Sequence, residues 1–425
     1  MRIRAPLLAA VLTAASLTAT LAVSADQSRI ETTPLSGLDL FSAGNPGLGA
    51  DLWRGSSAEI ARATIPAIGT KPLSPAARRL AIRLLSTGAN APEGAGSDPA
   101  LAAARARALI ALGEPAAANA SVERAPNMAA NEPLSQAAAE AALLVGDDAR
   151  ACAIGEALQS GRDGVYWLKL RAYCQAIANQ PGASLTLTLA LEKAKDPVYA
   201  RLMAALVAGA GDPGAPSDRN GLERALSRRL NLPLPPAPHI DPIPPTTGMA
   251  GVDEVREAIA LGDPQSAKAS RAGLVQDAAA GLTANTLAML DALIAAATGD
   301  NLGPTLDRLI ERGDLGGPKS AAQPAAIILA ALGGATSPDA RAEFARFDVG
   351  KTAASPARLA ALDRAAEAGL KGETALLVLS IAQDAGAAGP APADRARIIQ
   401  ALRKVGLEVA ARDFAVEGLM ALSFK

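Results

Sequence analysis

The chain has 425 residues, of which half are hydrophobic, about a quarter alanine, only 2% aromatic, and one is histidine. Forty-one basic residues face 42 acidic ones with no block of like charge, which excludes the electrostatic footprint that nucleic acid or an anionic membrane surface requires. Alanine is the strongest helix former, and the β-branched and aromatic runs that strands favour are nearly absent, so the composition predicts an all-α fold.

The chain opens on an expected secretory signal. Arg2 and Arg4 precede an apolar stretch from Leu7 to Val23, and Val23-Ser24-Ala25 supplies the small residues a signal peptidase reads, so cleavage is predicted after Ala25. An uncleaved anchor helix is the alternative, because the stretch is nearly long enough to span a bilayer. No cysteine follows to carry a lipid anchor, and no second apolar run of spanning length appears. The mature chain is thus expected to be periplasmic or secreted and not to span a membrane.

Residues 26–50, rich in Gly, Ser, Thr and Pro without helical period, predict an extended or disordered N-terminal arm. Residues 51–230 and 249–425 predict two helical-repeat arrays. Between them, residues 231–248 hold Leu-Pro-Leu-Pro-Pro-Ala-Pro-His-Ile-Asp-Pro-Ile-Pro-Pro, a density of proline that forbids helix and favours a stiff spacer. Residues 392–405 and 407–422 predict a closing hairpin, with Ile398, Ile399, Leu402 and Val405 on one helix and Val409, Phe414, Val416 and Leu419 on the other.

Within the arrays a short phrase recurs at the ends of helical stretches: an apolar residue, glycine, an acid, then often proline. It reads Leu112-Gly113-Glu114-Pro115, Val145-Gly146-Asp147, Gly211-Asp212-Pro213, Leu261-Gly262-Asp263-Pro264 and Gly299-Asp300. Glycine accepts the left-handed conformation that closes one helix, the acid caps the amides of the next, and proline fits its first turn. Each phrase therefore predicts a tight helix–helix corner, and the intervals of 33 residues (Gly113 to Gly146) and 37 (Gly262 to Gly299) fit a helical hairpin repeat.

The corner with alanine five residues after the glycine, at Ala118, Ala151, Ala267 and Ala411, resembles the middle of a tetratricopeptide repeat. Pro216 and Pro304 depart from that pattern, Leu407 replaces the acid after Gly406, and the family's large aromatic positions are mostly missing. The resemblance is to a degenerate tetratricopeptide-like repeat over parts of residues 100 to 300 and the C-terminal hairpin. It implies an α-solenoid of helical hairpins whose groove binds a protein. The whole chain also resembles secreted, alanine-rich proteins of alphaproteobacteria.

Cys152 and Cys174 lie on adjacent predicted helices, each 11 residues from Asp163 in the turn Ser160-Gly161-Arg162-Asp163-Gly164. Equal distances from the turn place them at one level of an antiparallel hairpin, and export makes a disulfide favourable. The alternative is two small buried thiols in unrelated orientations. Between them, Tyr166-Trp167-Leu168-Lys169-Leu170-Arg171-Ala172-Tyr173 concentrates aromatics in a chain that has few. Tyr166, Trp167, Arg171 and Tyr173 are candidates for a partner-binding patch. The competing reading is a core-facing stripe of Trp167, Leu170 and Cys174 at helical spacing. Trp53 reads as an anchor that docks the arm.

Chemistry is poorly provided for. His239 stands alone in the proline spacer, where nothing positions it as a general base, and no clustered Cys or His offers a metal site, so no catalytic, cofactor or metal residues are expected. Residues 345–352 end in Gly350-Lys351-Thr352 but lack the opening glycine of a phosphate-binding loop, and in residues 313–320 Pro318 replaces the second glycine. Paired carboxylates are invisible to sequence. The expected function is a non-catalytic periplasmic scaffold or adaptor for an envelope protein; the alternative is a cell-wall remodelling enzyme or its activator. A pocket holding an acid with a raised pKa would favour the alternative, and an extended groove without one would favour the adaptor.

Overall fold

The computed structural model describes residues 41–424 apart from 45, 124, 210–211, 236–245, 278–280 and 318. The leader with its cleavage position after Ala25, the first part of the arm, the corner at Gly211, most of the proline spacer and His239 lie outside the described residues. Among those described, twenty α-helices and three short 3-10 turns form the fold, with isolated β-bridges only. The all-α expectation holds.

The helices come largely in antiparallel pairs. After α1 (Ala58–Thr64) and α2 (Pro75–Ser86) follow α3 (Pro99–Ala111) with α4 (Pro115–Val122), α5 (Glu132–Val145) with α6 (Asp148–Ala157), α7 (Val165–Ile177) with α8 (Ala183–Ala194), and α9 (Pro197–Ala208) with α10 (Gly221–Arg229). Beyond the proline stretch come α11 (Ala250–Ala260) with α12 (Pro264–Ala272), α13 (Ala284–Thr298) with α14 (Leu302–Gly316), then α15 (Ala322–Ala331) and the short α16 (Ala340–Phe344). The chain ends with α17 (Pro356–Glu367) and α18 (Lys371–Ala385), then α19 (Pro392–Lys404) and α20 (Glu408–Met420), the last pair close to the bounds expected for a closing hairpin.

The corners follow one backbone rule. At Gly146, φ is +92°, its N–H donates to the Leu143 carbonyl (3.2 Å), and the Asp147 N–H donates to Ala142 (2.8 Å). This pair of bonds satisfies the orphan carbonyls at a helix end. It recurs at Gly113, Gly262 and Gly406, and also at Gly333, Gly369 and Asn179. The acid of the phrase caps the next helix at Asp147 and Asp263, as expected, but not at Glu114, whose side chain makes no cap bond. Asp300 turns instead to Lys268 (2.9 Å). Ala118, Ala151, Ala267 and Ala411 are all fully buried.

The core is divided differently from the two arrays expected on either side of the proline stretch. One apolar cluster joins residues 41–141 to residues 252–424, and a smaller one is confined to residues 139–232. The physical reason is that α1 and α2 pack on α18 and α20. Trp53 lies against Gly372, and the Ala76 amide, in the first turn of α2, donates to Glu417 on α20 (2.6 Å). The last helix also returns to α13 and α15. In an open solenoid each repeat touches only its neighbours; here the C-terminal hairpins close on one another and on the N-terminal helices.

The described end of the expected arm is docked. Phe41 is fully buried, edge-on to Trp53 at 6.0 Å between ring centres, and its carbonyl accepts from the Ala89 amide (3.1 Å). Arg105, buried under this segment, donates to the carbonyls of Phe41, Ala43, Leu85 and Thr87. Trp53 is 2% exposed, consistent with an anchor.

Candidate binding pocket on the first helices of the hairpins

Helices α3, α5, α7 and α9 are the first members of four successive pairs. Together with the start of α10 they line a pocket of about 430 Å³. Its charged and aromatic lining is Arg107, Glu140, Tyr166, Lys169, Tyr199 and Glu223.

Glu140 projects from an α5 made mostly of alanine and leucine. One carboxyl oxygen accepts from the Gly221 amide at the start of α10, and the other from the Tyr166 hydroxyl at 3.3 Å. Burial pushes its pKa up, the two donors only partly oppose this, and the nearby Glu223 charge adds to the rise. Burial and the Glu140 charge together push the Tyr166 phenol well above its ordinary value. Both groups are thus displaced toward protonation relative to their ordinary values.

Glu223 has a different environment. It is 1% exposed and stands three residues after Asn220, whose side chain caps α10 by accepting from the Glu223 amide (2.9 Å). Arg219 donates to it at 2.5 and 2.8 Å, Ser217 at 2.5 Å and the Asn220 amide group at 3.0 Å. Burial alone would raise this carboxyl, but those donors outweigh it and hold the pKa below the glutamate range. Arg219 also reaches Asp196 (2.9 Å), which takes Lys169 at 2.7 Å and caps α9 through the Val198 and Tyr199 amides. Against the upward push of burial, Lys169, the Tyr199 amide and Arg219 hold Asp196 at about 2. The Lys169 ammonium lies 4.9 Å over the Tyr199 ring, and the Tyr199 hydroxyl donates to the Lys169 carbonyl (2.9 Å).

The four residues nominated between the cysteines are split by the fold. Tyr166 faces the pocket. Trp167 is buried against it, with ring centres 5.0 Å apart and its indole N–H on Glu132 (3.1 Å). Tyr173 is fully buried beside Asp148 and Arg229, where burial and the Asp148 charge push its phenol up. Arg171 donates to the Arg162 carbonyl (2.9 Å). Cys152 and Cys174 are bonded, with Cα atoms 5.7 Å apart, and tie α6 to α7, the helix that carries Tyr166 and Lys169.

Sequence reasoning missed Glu140, Tyr199 and Glu223. The Asn220-to-Glu223 spacing was a readable capping box, whereas a single glutamate on a helix of alanines carries no mark. Just after the near-miss phosphate loop, the Ala353 and Ala354 amides donate to the Asp394 carboxylate at 2.8 and 3.0 Å. Among the described residues, no group of three His, Cys, Asp or Glu side chains is arranged to hold a metal ion, and no helix is long and apolar enough to cross a membrane. No family model matches this chain, and no curated protein or solved structure matches it either.

Proposed function

We propose that the protein is a non-catalytic adaptor outside the cytoplasm, holding a short segment of an envelope protein in the pocket formed by α3, α5, α7 and α9. The observation that carries this reading is the origin of the pocket: four successive pairs each contribute residues of their first helix, as successive helical repeats do when they build one binding surface. Tyr166 and Tyr199 offer rigid aromatic walls, and Arg107 offers a polar anchor. The disulfide supports an oxidising compartment.

A second reading, a cell-wall remodelling enzyme or its activator, is favoured by one observation: Glu140 sits in a pocket with a raised pKa. Against it, both Glu140 oxygens already accept hydrogen bonds, and Glu223 is held by Arg219, Ser217 and Asn220, so neither carboxyl is free to act on a substrate.

Crosslinking in the native cells, followed by purification of the tagged full chain, tests the adaptor. A near-stoichiometric envelope partner is expected with the parent chain and should be lost with Tyr166→Ala while the circular-dichroism spectrum shows the helical fold retained. Equal recovery from both chains would remove the pocket from the reading. Turnover of cell-wall fragments that disappears in Glu140→Gln would replace the adaptor with the enzyme.

A further inference from the structure

A larger cavity, of about 1110 Å³, lies elsewhere on the fold, between the start of α2, α11 with the turn before it, the end of α13, and α20 with its C-terminal tail. Its walls are largely apolar, including Met249, Ile259, Leu261, Val409, Val416 and Phe424. Two of these are large side chains left open to solvent: Leu261 is 69% exposed and Val409 48%. Val409 belongs to the apolar set expected to face the core, and it lines this cavity instead.

The charges around the cavity can be accounted for one by one. Arg256 is buried over the Phe424 ring (5.1 Å), pairs with Asp253 (3.6 Å) and donates to the Met420 carbonyl (3.3 Å). Arg79 pairs with Asp413 (3.4 Å). Glu417 takes Arg395 (2.7 Å) and the Ala76 amide (2.6 Å). That leaves Arg412, half-buried in the cavity wall near the Gly299 corner, with no carboxylate partner among the described residues. After internal pairing, the described residues of the cavity therefore keep one positive charge without a paired carboxylate beside an apolar wall.

We propose that this cavity binds a single-chain amphiphile with one carboxylate, of the long-chain fatty-acid type, its chain on the apolar wall and its carboxylate on Arg412. A partly desolvated guanidinium without a counter-ion is costly, and a bidentate carboxylate is its best match. The volume is slightly above the usual span of small-ligand sites, roughly 300–1,000 Å³, so an alkyl chain fits without displacing a wall.

Calorimetric titration of the full chain with laurate, below its micelle concentration, tests the proposal. One saturable site is expected, and Arg412→Gln should weaken it about tenfold, equivalent to about 1.4 kcal/mol. Dodecanol should bind the parent and the variant equally weakly. Val409→Glu, at an already exposed position, should abolish laurate binding while the circular-dichroism melting curve stays in place. Absence of saturable binding, equal laurate affinity in parent and Arg412→Gln, or loss of binding in Tyr166→Ala would each overturn the assignment. Co-sedimentation with anionic phospholipid vesicles without binding of monomeric laurate would overturn it in favour of a membrane surface.

Discussion

Glu140 and Glu223 share one pocket, yet their surroundings drive them in opposite directions. Glu223 has a guanidinium, a hydroxyl and a side-chain amide; Glu140 has one backbone amide, one phenol and a neighbouring negative charge. The consequence for stability follows from the sign of the shift. The folded chain holds the Glu140 proton more tightly than the unfolded chain does. Its contribution is therefore complete below the ordinary glutamate range and is lost as pH rises through the elevated folded value. Glu140→Gln keeps an acceptor for the Gly221 amide and removes the titration. Melting temperatures measured from pH 4 to 8 should converge for parent and variant at the acid end, with the variant gaining relative to the parent as pH rises. A constant offset across that range would show that Glu140 does not titrate differently in the fold.

At the scale of elements, the disulfide and the corners were the features most open to sequence reasoning, because both depend on local spacing. Cys152 and Cys174 are separated by 22 residues, and a loop of that size should contribute about 3 kcal/mol. A thiol titration should find none before reduction and two after it. Paired Cys152→Ser and Cys174→Ser substitutions should lower the melting temperature. Reduction should also speed amide exchange in α6–α10 while leaving α13, α15 and α19 unchanged, since the bond lies in the smaller cluster. Exchange that rises equally everywhere would mean the two clusters unfold as one. The corners at Gly333 and Gly369 escaped notice because glycine and leucine follow them where the phrase has an acid. The corner at Asn179 escaped because asparagine takes the left-handed conformation there (φ +52°). The pocket was legible only in part: Tyr166 stood out by composition, but its partners come from four other helices.

The return of α1 and α2 onto α18 and α20 belongs to the whole molecule, and no periodic pattern announces a contact between residues 341 apart. The proline stretch marks a real break in helix propensity, but not the division of the core, because propensity is local and burial is not. Gly372 tests this seam directly. A methyl group there would collide with the Trp53 ring and stand 2.8 Å from the Leu52 carbonyl oxygen. Gly372→Ala should therefore destabilise the fold by about 1–3 kcal/mol, read as a lower denaturant midpoint, even though alanine is the better helix former. A stabilised variant would mean that the N-terminal segment does not pack on α18 as described.

The same seam sets a delay in the life of each molecule. Chains are made from the N-terminus at about 5–20 residues per second, so Ala76 emerges roughly 17–70 s before Glu417, the acceptor 341 residues downstream. During that interval the side of α2 that packs on α18 and α20 has neither helix to cover it. Any holding factor that acts on the nascent chain has its task defined by that face, and its hold must end when the last helix arrives.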